Sequence, residues 1–242
     1  FIRHTFAQQQ INRAVIAVSG GIDSSLALTL LTRALSIHTI TPILLPYGRQ
    51  NMDDAKTICV WNSFTPAQWK TITIKKPVDI LCKDLRISSR DALRRGNVMA
   101  RVRMIMAFDL AKSLGALVCG TENKSEHFLG YFTRFGDAAS DLEPLAKLYK
   151  TEVREISEYL GLPQQILAKH PTAELWNKQT DEQELGFTYE QADRVLAQYI
   201  DKKKAENQIA FDDIDIPRDI VQKVLVRVKT NAFKREVPYL PK

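Results

Sequence analysis

Between Val18 and Ser25 the chain reads VSGGIDSS, two adjacent glycines with three hydroxyls and one carboxylate around them. Such a set suits an anion. If a strand ends here and a helix begins, the helix N-terminus offers unpaired backbone N–H groups and the positive end of its dipole. Gly20 and Gly21 let the backbone approach closely and take positive φ. Ser19, Ser24 and Ser25 would add hydroxyl donors for phosphate oxygens. Asp23 is out of place beside a phosphate unless a divalent cation lies between them, because Mg²⁺ is typically held by one or two carboxylates plus phosphate oxygens. The same residues also make an ordinary capped turn with Asp23 as the cap, and the motif alone leaves both readings open. It is neither a Walker A loop nor a GxGxxG dinucleotide turn, since both patterns are absent.

The elements that must position this stretch are legible around it. RAVIAVS (Arg13 to Ser19) is an apolar run ending at the Gly-Gly turn and predicts a buried strand. Ser24 to Leu35 has apolar residues at helical spacing, with Asp23 or Ser24 as the expected N-cap. Further strands are expected in HTITPILLP, WKTITI (Trp69 to Ile74) and GALVCG (Gly115 to Gly120). Helices are expected over DDAKTICVWNSF and roughly Ser88 to Leu114. This alternation implies an α/β fold, a parallel sheet flanked by helices on both faces. Past Gly120 the strand signal fades. Helices are expected at Lys150 to Pro163, Glu190 to Ala205 and Pro217 to Thr230. The polar stretch Lys169 to Tyr189 has little periodicity, and loops of that length are usually disordered or functional. With no repeat, low-complexity tract or evident linker, residues 1–242 read as a single domain.

Composition narrows the classes. A net charge of +6, from 34 basic and 28 acidic residues, fits an anionic partner, either nucleic acid or a phosphate-bearing small molecule. Arg86, Arg90, Arg94, Arg95, Arg101 and Arg103 crowd one segment, which by itself is most simply a solvated helix face. Apolar runs fall short of the roughly 20 residues a membrane-spanning helix needs, and Phe1 to Gln10 lacks a signal-peptide pattern. Cys59, Cys82 and Cys119 form no CxxC pair, which favours free thiols in a reducing, cytoplasmic compartment. The scattered histidines argue against histidine catalysis, with His127 beside Glu126 the one to watch.

The SGGxDS loop resembles that of the N-type ATP pyrophosphatases, which grip ATP phosphates while a substrate oxygen attacks the α-phosphorus. Downstream blocks single out one family. GTENKSEHFLGYFTRFGDAASDLEPLAKLYKTEVRE (Gly120 to Glu155), GNVMARVRM (Gly96 to Met104), LPYGRQNMDDA (Leu45 to Ala55), PTAELWNKQTDEQELGFTY and the terminal KREVP resemble segments of the NAD synthetases, in order and over essentially the whole chain.

That resemblance implies a Rossmann-like fold of the adenine nucleotide alpha hydrolase type and a set of roles. Ala17, Val18, Ser19, Gly20, Gly21, Ile22, Asp23 and Ser24 would form the ATP-phosphate loop, joined by Gln50, Thr121, Lys150 and Thr172. Asp23 and Glu126 would hold Mg²⁺, with Asp23 and Lys150 central to catalysis. Arg101, Arg134, Asp141, Phe233 and Lys234 would contact deamido-NAD⁺. Three positions depart from the common bacterial pattern: Arg134 stands where a lysine is usual, Leu44 where an arginine often precedes Leu-Pro, and Phe233 where a histidine precedes the terminal lysine. Arg49 could replace the missing arginine. The implied reaction adenylates the nicotinate carboxylate and then lets ammonia displace AMP. The chain length leaves no room for a glutaminase domain, so the ammonia-dependent form is expected, as a homodimer with no nucleic-acid or membrane partner. The rivals are a tRNA-modifying ATP pyrophosphatase, the synthetase domain of a glutamine-dependent enzyme, and a nucleotide sensor without catalysis.

Overall fold

Successive residues of a strand face opposite sides of its sheet, and the first strand here uses both. The computed structural model describes residues 1–170, 180–205, 209, 215–236, 238, 239 and 241. Its strands are β1 (Ala14–Ala17), β2 (Ile40–Leu44), β3 (Lys70–Thr71) and β4 (Leu117–Cys119). They form one parallel sheet in the order β3-β2-β1-β4, with Ala14 of β1 opposite Ile40 on one side and Leu117 on the other.

The helices are α1 (Ile2–Gln9), α2 (Ile22–Ala34), α3 (Asp53–Trp61), α4 (Lys75–Asp84), α5 (Ala92–Leu114), α6 (Lys124–Leu129), α7 (Lys150–Tyr159), α8 (Gln164–Leu167), α9 (Asp181–Leu185), α10 (Tyr189–Leu196) and α11 (Arg218–Thr230). Ala14 and Ile16 pack with Leu28 and Leu31 of α2 and Val153 of α7. Val15 and Ile43 pack on the opposite face with Val78 of α4 and Val98 and Val102 of α5. Helices therefore cover both faces of a parallel sheet, as the alternation implied. A third apolar cluster joins Leu129 of α6, Tyr189 and Val195 of α10 and Val224 of α11.

Several boundaries differ from the sequence expectations. The third strand is short, because Ile74 turns out at φ −88° and ψ 0° to start α4. Its pairing with β2 persists only through Ile72 N to Leu44 O at 2.9 Å and Ile74 N to Pro46 O at 3.0 Å. Helices α1 and α4 were not expected. The helix foreseen to Ala205 is regular only to Leu196 and then widens into a π-helical stretch, Ala197–Asp201. Neither Asp23 nor Ser24 caps α2: its N-cap is Gly21, with no side-chain cap. All three cysteines are free and buried. Among the described residues no helix is long and apolar enough to cross a membrane.

Candidate active site

The order β3-β2-β1-β4 puts the point where the chain reverses its direction of winding beside β1, between it and β4. In such sheets ligands bind in the crevice beyond the strand C-termini at that point. A cleft of about 610 Å³ lies here. The β1–α2 turn supplies one wall, and the segment after β4 supplies another.

Glycine is obligatory in the first wall. Gly20 has φ +86°, and a Cβ there would lie 2.6 Å from the Ala55 nitrogen and the Asp54 Cβ at the start of α3. The hydroxyls around it stiffen the turn. Ser19 Oγ accepts from Gly21 N at 3.2 Å and lies 3.1 Å from Ser24 Oγ, while Ser24 donates to Gly21 O at 3.1 Å. Ser25 is fully buried and donates to Gly21 O at 2.8 Å, so its hydroxyl serves the helix start rather than the cleft. The open end of α2 faces the cleft through Ile22, Asp23 and Ser24.

The second wall brings Asp23 its partners. Lys150, the first residue of α7, is 7% exposed and donates to Asp23 Oδ2 at 2.6 Å and Glu126 Oε1 at 2.9 Å. Burial opposes the lysine's charge, but the carboxylates of Asp23 and Glu126 outweigh it and raise its pKa above the ordinary value. Burial raises the Glu126 carboxyl, with Lys150 working against the shift and Asp23 adding to it. Asn123 ties the two walls together. Its Oδ1 accepts from Glu126 N at 3.0 Å, and its Nδ2 donates to Asp23 Oδ1 at 2.9 Å.

Ala17, Val18, Ser19, Gly21, Ile22, Asp23, Ser24, Gln50, Thr121, Glu126, Lys150 and Lys234 all line this one cleft. Gly20 lies buried behind it. Gln50 Oε1 accepts from Arg103 at 3.1 Å, and Arg103 also donates to Leu45 O at 3.1 Å. One member of the arginine run therefore faces inward, beside Gln50. Lys234 Nζ donates to Gly130 O at 2.7 Å and Phe132 O at 3.1 Å.

The other residues to which the resemblance assigns the substrate sit elsewhere. Arg101 is exposed on α5 and donates to Arg134 O at 3.4 and 3.3 Å, with the Arg134 guanidinium over the Phe135 ring. Asp141 accepts from Val118 N at 2.7 Å and so braces β4. Phe233 is 48% exposed on the turn before Lys234. Leu44 is fully buried in β2, whereas Arg49 is exposed. Thr172 lies outside the described residues.

Sequence reasoning passed over Asn123 and Asp181, and read Arg103 only as part of a solvated helix face. Asp181 is 4% exposed, lines the cleft beside Glu126 and Lys150, and receives the Tyr189 hydroxyl at 3.2 Å. Its Oδ1 has no hydrogen-bond partner among the described residues. Burial raises its carboxyl.

Sheet order, crevice and glycine turn together define a doubly wound α/β protein with a cleft at its switch point. A family profile described as NAD synthase matches residues 1–238. The NH(3)-dependent NAD(+) synthetase of Fusobacterium nucleatum is 37% identical over 242 residues, covering 100% of this chain and 92% of that protein. The chain belongs to the NAD synthase family. Among solved structures, NMN synthetase from Francisella tularensis superposes with a TM-score of 0.83 at 29% identity, covering 99% of this chain and 93% of that one. The NH3-dependent NAD synthetase from Campylobacter jejuni, in complex with nitrate ion, gives 0.81 at 28% identity, covering 100% and 95%.

Proposed function

We propose that this chain makes NAD⁺ from deamido-NAD⁺, ATP and ammonia, releasing AMP and pyrophosphate. The observation that carries the reading is Lys150 held between Asp23 and Glu126 at the mouth of the Ser19–Ser24 turn. Substrate and nitrogen donor follow the names of the relatives.

The residues suit Mg²⁺. Asp23 and Glu126 already converge on one cation, the Lys150 ammonium, and two carboxylates against one ammonium leave a net negative charge. Among the described residues no group of three or more His, Cys, Asp or Glu side chains converges. That fits an ion that takes one or two carboxylates and completes its shell with water and phosphate oxygens. When bound, the ion supplies positive charge to the phosphates as pyrophosphate leaves.

The protein's own groups position and neutralise. N–H groups at the start of α2 receive phosphate oxygens. Lys150, kept protonated by its carboxylate partners, acts as a fixed positive charge rather than a proton donor. The nicotinate carboxylate oxygen attacks the α-phosphorus and pyrophosphate departs. Ammonia then attacks the acyl carbon, AMP leaves, and a proton is lost from nitrogen. No enzyme nucleophile is needed, and the rate gain lies in alignment and charge.

Arg101, Arg134, Asp141 and Phe233 do not line the cleft with Lys234. Ile105, one turn beyond Arg101 on α5, and Phe135, next to Arg134, expose 56% and 53% of their surface. A second copy of the chain would cover this face and complete the deamido-NAD⁺ site, so the working unit is read as a homodimer of single-domain chains. The free cysteines suit the cytoplasm.

The Francisella structure, named for NMN synthesis, raises a second substrate, a nicotinate mononucleotide. One assay decides: ATP, Mg²⁺ and ammonium with either deamido-NAD⁺ or nicotinate mononucleotide, followed for AMP and amide. Deamido-NAD⁺ is expected to be preferred. AMP with the mononucleotide alone would move the reading to the smaller substrate, and no AMP with either would end it.

A further inference from the structure

Helix α7 carries Lys150 at its first position, and its own Glu152 Oε2 accepts only from Tyr149 N, at 2.7 Å, leaving the N–H groups of Lys150 and Thr151 to find partners elsewhere. Those groups are satisfied by two other helices. Lys150 N donates to Ser125 Oγ of α6 at 2.8 Å. Thr151 N and Thr151 Oγ1 donate to Asp193 Oδ2 of α10 at 3.0 and 2.9 Å. Ser125 in turn donates to Asp193 Oδ1. Asp193 is 5% exposed and Ser125 fully buried, so water does not share these bonds.

We propose that Asp193 is a positioning residue that sets the spacing of Lys150 and Glu126 by capping α7 from outside and locking it to α6 through Ser125. One carboxylate reaches the neighbours in sequence of both groups: Thr151 follows Lys150, and Ser125 precedes Glu126. A negative charge at a helix N-terminus is itself favourable. It also holds the α7 backbone where the Lys150 side chain spans both carboxylates. Asp193 does not line the cleft, so it acts through Ser125, through Thr151 and through its charge near Lys150 rather than by touching ligand. Asp193 lies four residues beyond Tyr189 on α10, so this carboxylate makes α10, whose Tyr189 hydroxyl meets Asp181, part of the Lys150 mount.

This inference rests on the proposed function for its kinetic readout and on amide exchange for a readout independent of it. Asp193→Asn keeps shape and one acceptor while removing charge. The kcat for NAD⁺ formation is expected to fall at least tenfold, with KM for ATP changed less than threefold. On a Lys150→Met background the same change should cost less than twofold, because its effect runs through Lys150. Retention of kcat within twofold at an unchanged Tm, or a full loss repeated on the Lys150→Met background, would overturn the assignment. If Asp193→Asn fails to fold, Ser125→Ala is held to the same thresholds. If the wild-type chain forms no NAD⁺, the function reading fails and the clamp is judged by hydrogen exchange over residues 149–152. Exchange at least tenfold faster in Asp193→Asn supports it, and unchanged exchange removes it.

Discussion

The two walls of the cleft are built by different means. The Ser19–Ser24 wall is local: its hydrogen bonds join residues two to five apart, and backbone conformation sets its shape. The Glu126–Lys150 wall is non-local, with side chains of α6, α7 and α10 holding one another in a buried network. A local wall keeps its shape through its glycine and the hydroxyls beside it. A networked wall passes damage from any member to the rest.

The largest expected effect tests the networked wall. Lys150→Met leaves Asp23 and Glu126 facing each other without their cation, and breaking a buried ion pair from one side typically costs about 3–5 kcal/mol. Without ligand, denaturant unfolding should show a loss of that order, with turnover reduced ~1,000-fold or more. A variant of wild-type stability would mean the charges are relieved by water.

Gly20→Ala probes the local wall where it is rigid. The new methyl meets Ala55 N and Asp54 Cβ at 2.6 Å, on a backbone that disfavours L residues. A loss of about 1–3 kcal/mol and of ATP binding is expected, read by melting and by nucleotide titration. Retained ATP binding would show that the turn can relax.

Asn123→Ala cuts the tie between the walls and orphans Asp23 Oδ1 and Glu126 N. A cost of about 1–3 kcal/mol is expected. Turnover should fall further than for a surface alanine, and an unchanged kcat would mean the walls hold their spacing independently.

The smallest effect concerns pH behind the second wall. Burial pushes the Glu143 carboxyl up to about 8, against hydrogen bonds from Ser140 Oγ at 2.6 Å and Glu122 N at 2.9 Å. A raised native pKa gives stability that is full below the unfolded value and lost as pH rises toward 8. Relative to Glu143→Gln, the wild-type Tm should therefore decline between pH 5 and 8.5. A parallel pair of curves would place the Glu143 pKa near its unfolded value.

What could be read from the sequence follows the same division. The strand, glycine turn and helix of residues 13–35 were legible because each signal lies within a few residues of the next. Asn123, Ser125 and Asp193 were not, because a polar residue in a helix looks the same whether it faces water or another helix's end. Helix α4 was obscured by Pro77, which a first turn tolerates. Helix α1 buries only Ile2 and Phe6, too sparse a stripe to stand out. The family resemblance pointed to Asp23, Glu126 and Lys150, but it carried no information on which of its residues one copy of the chain gathers. Lys234 joins the cleft, while Arg101 and Arg134 pair outside it.

The Lys150 bridge also has a consequence in time. Its bond to Asp23 spans 127 residues of sequence, and that from Asn123 to Asp23 spans 100. Contacts of such separation form late, after the loop-closure entropy has been met. Catalytic competence should therefore be among the last properties recovered on refolding, trailing helix content and burial of the sheet, so that turnover reports completed assembly better than any spectroscopic signal.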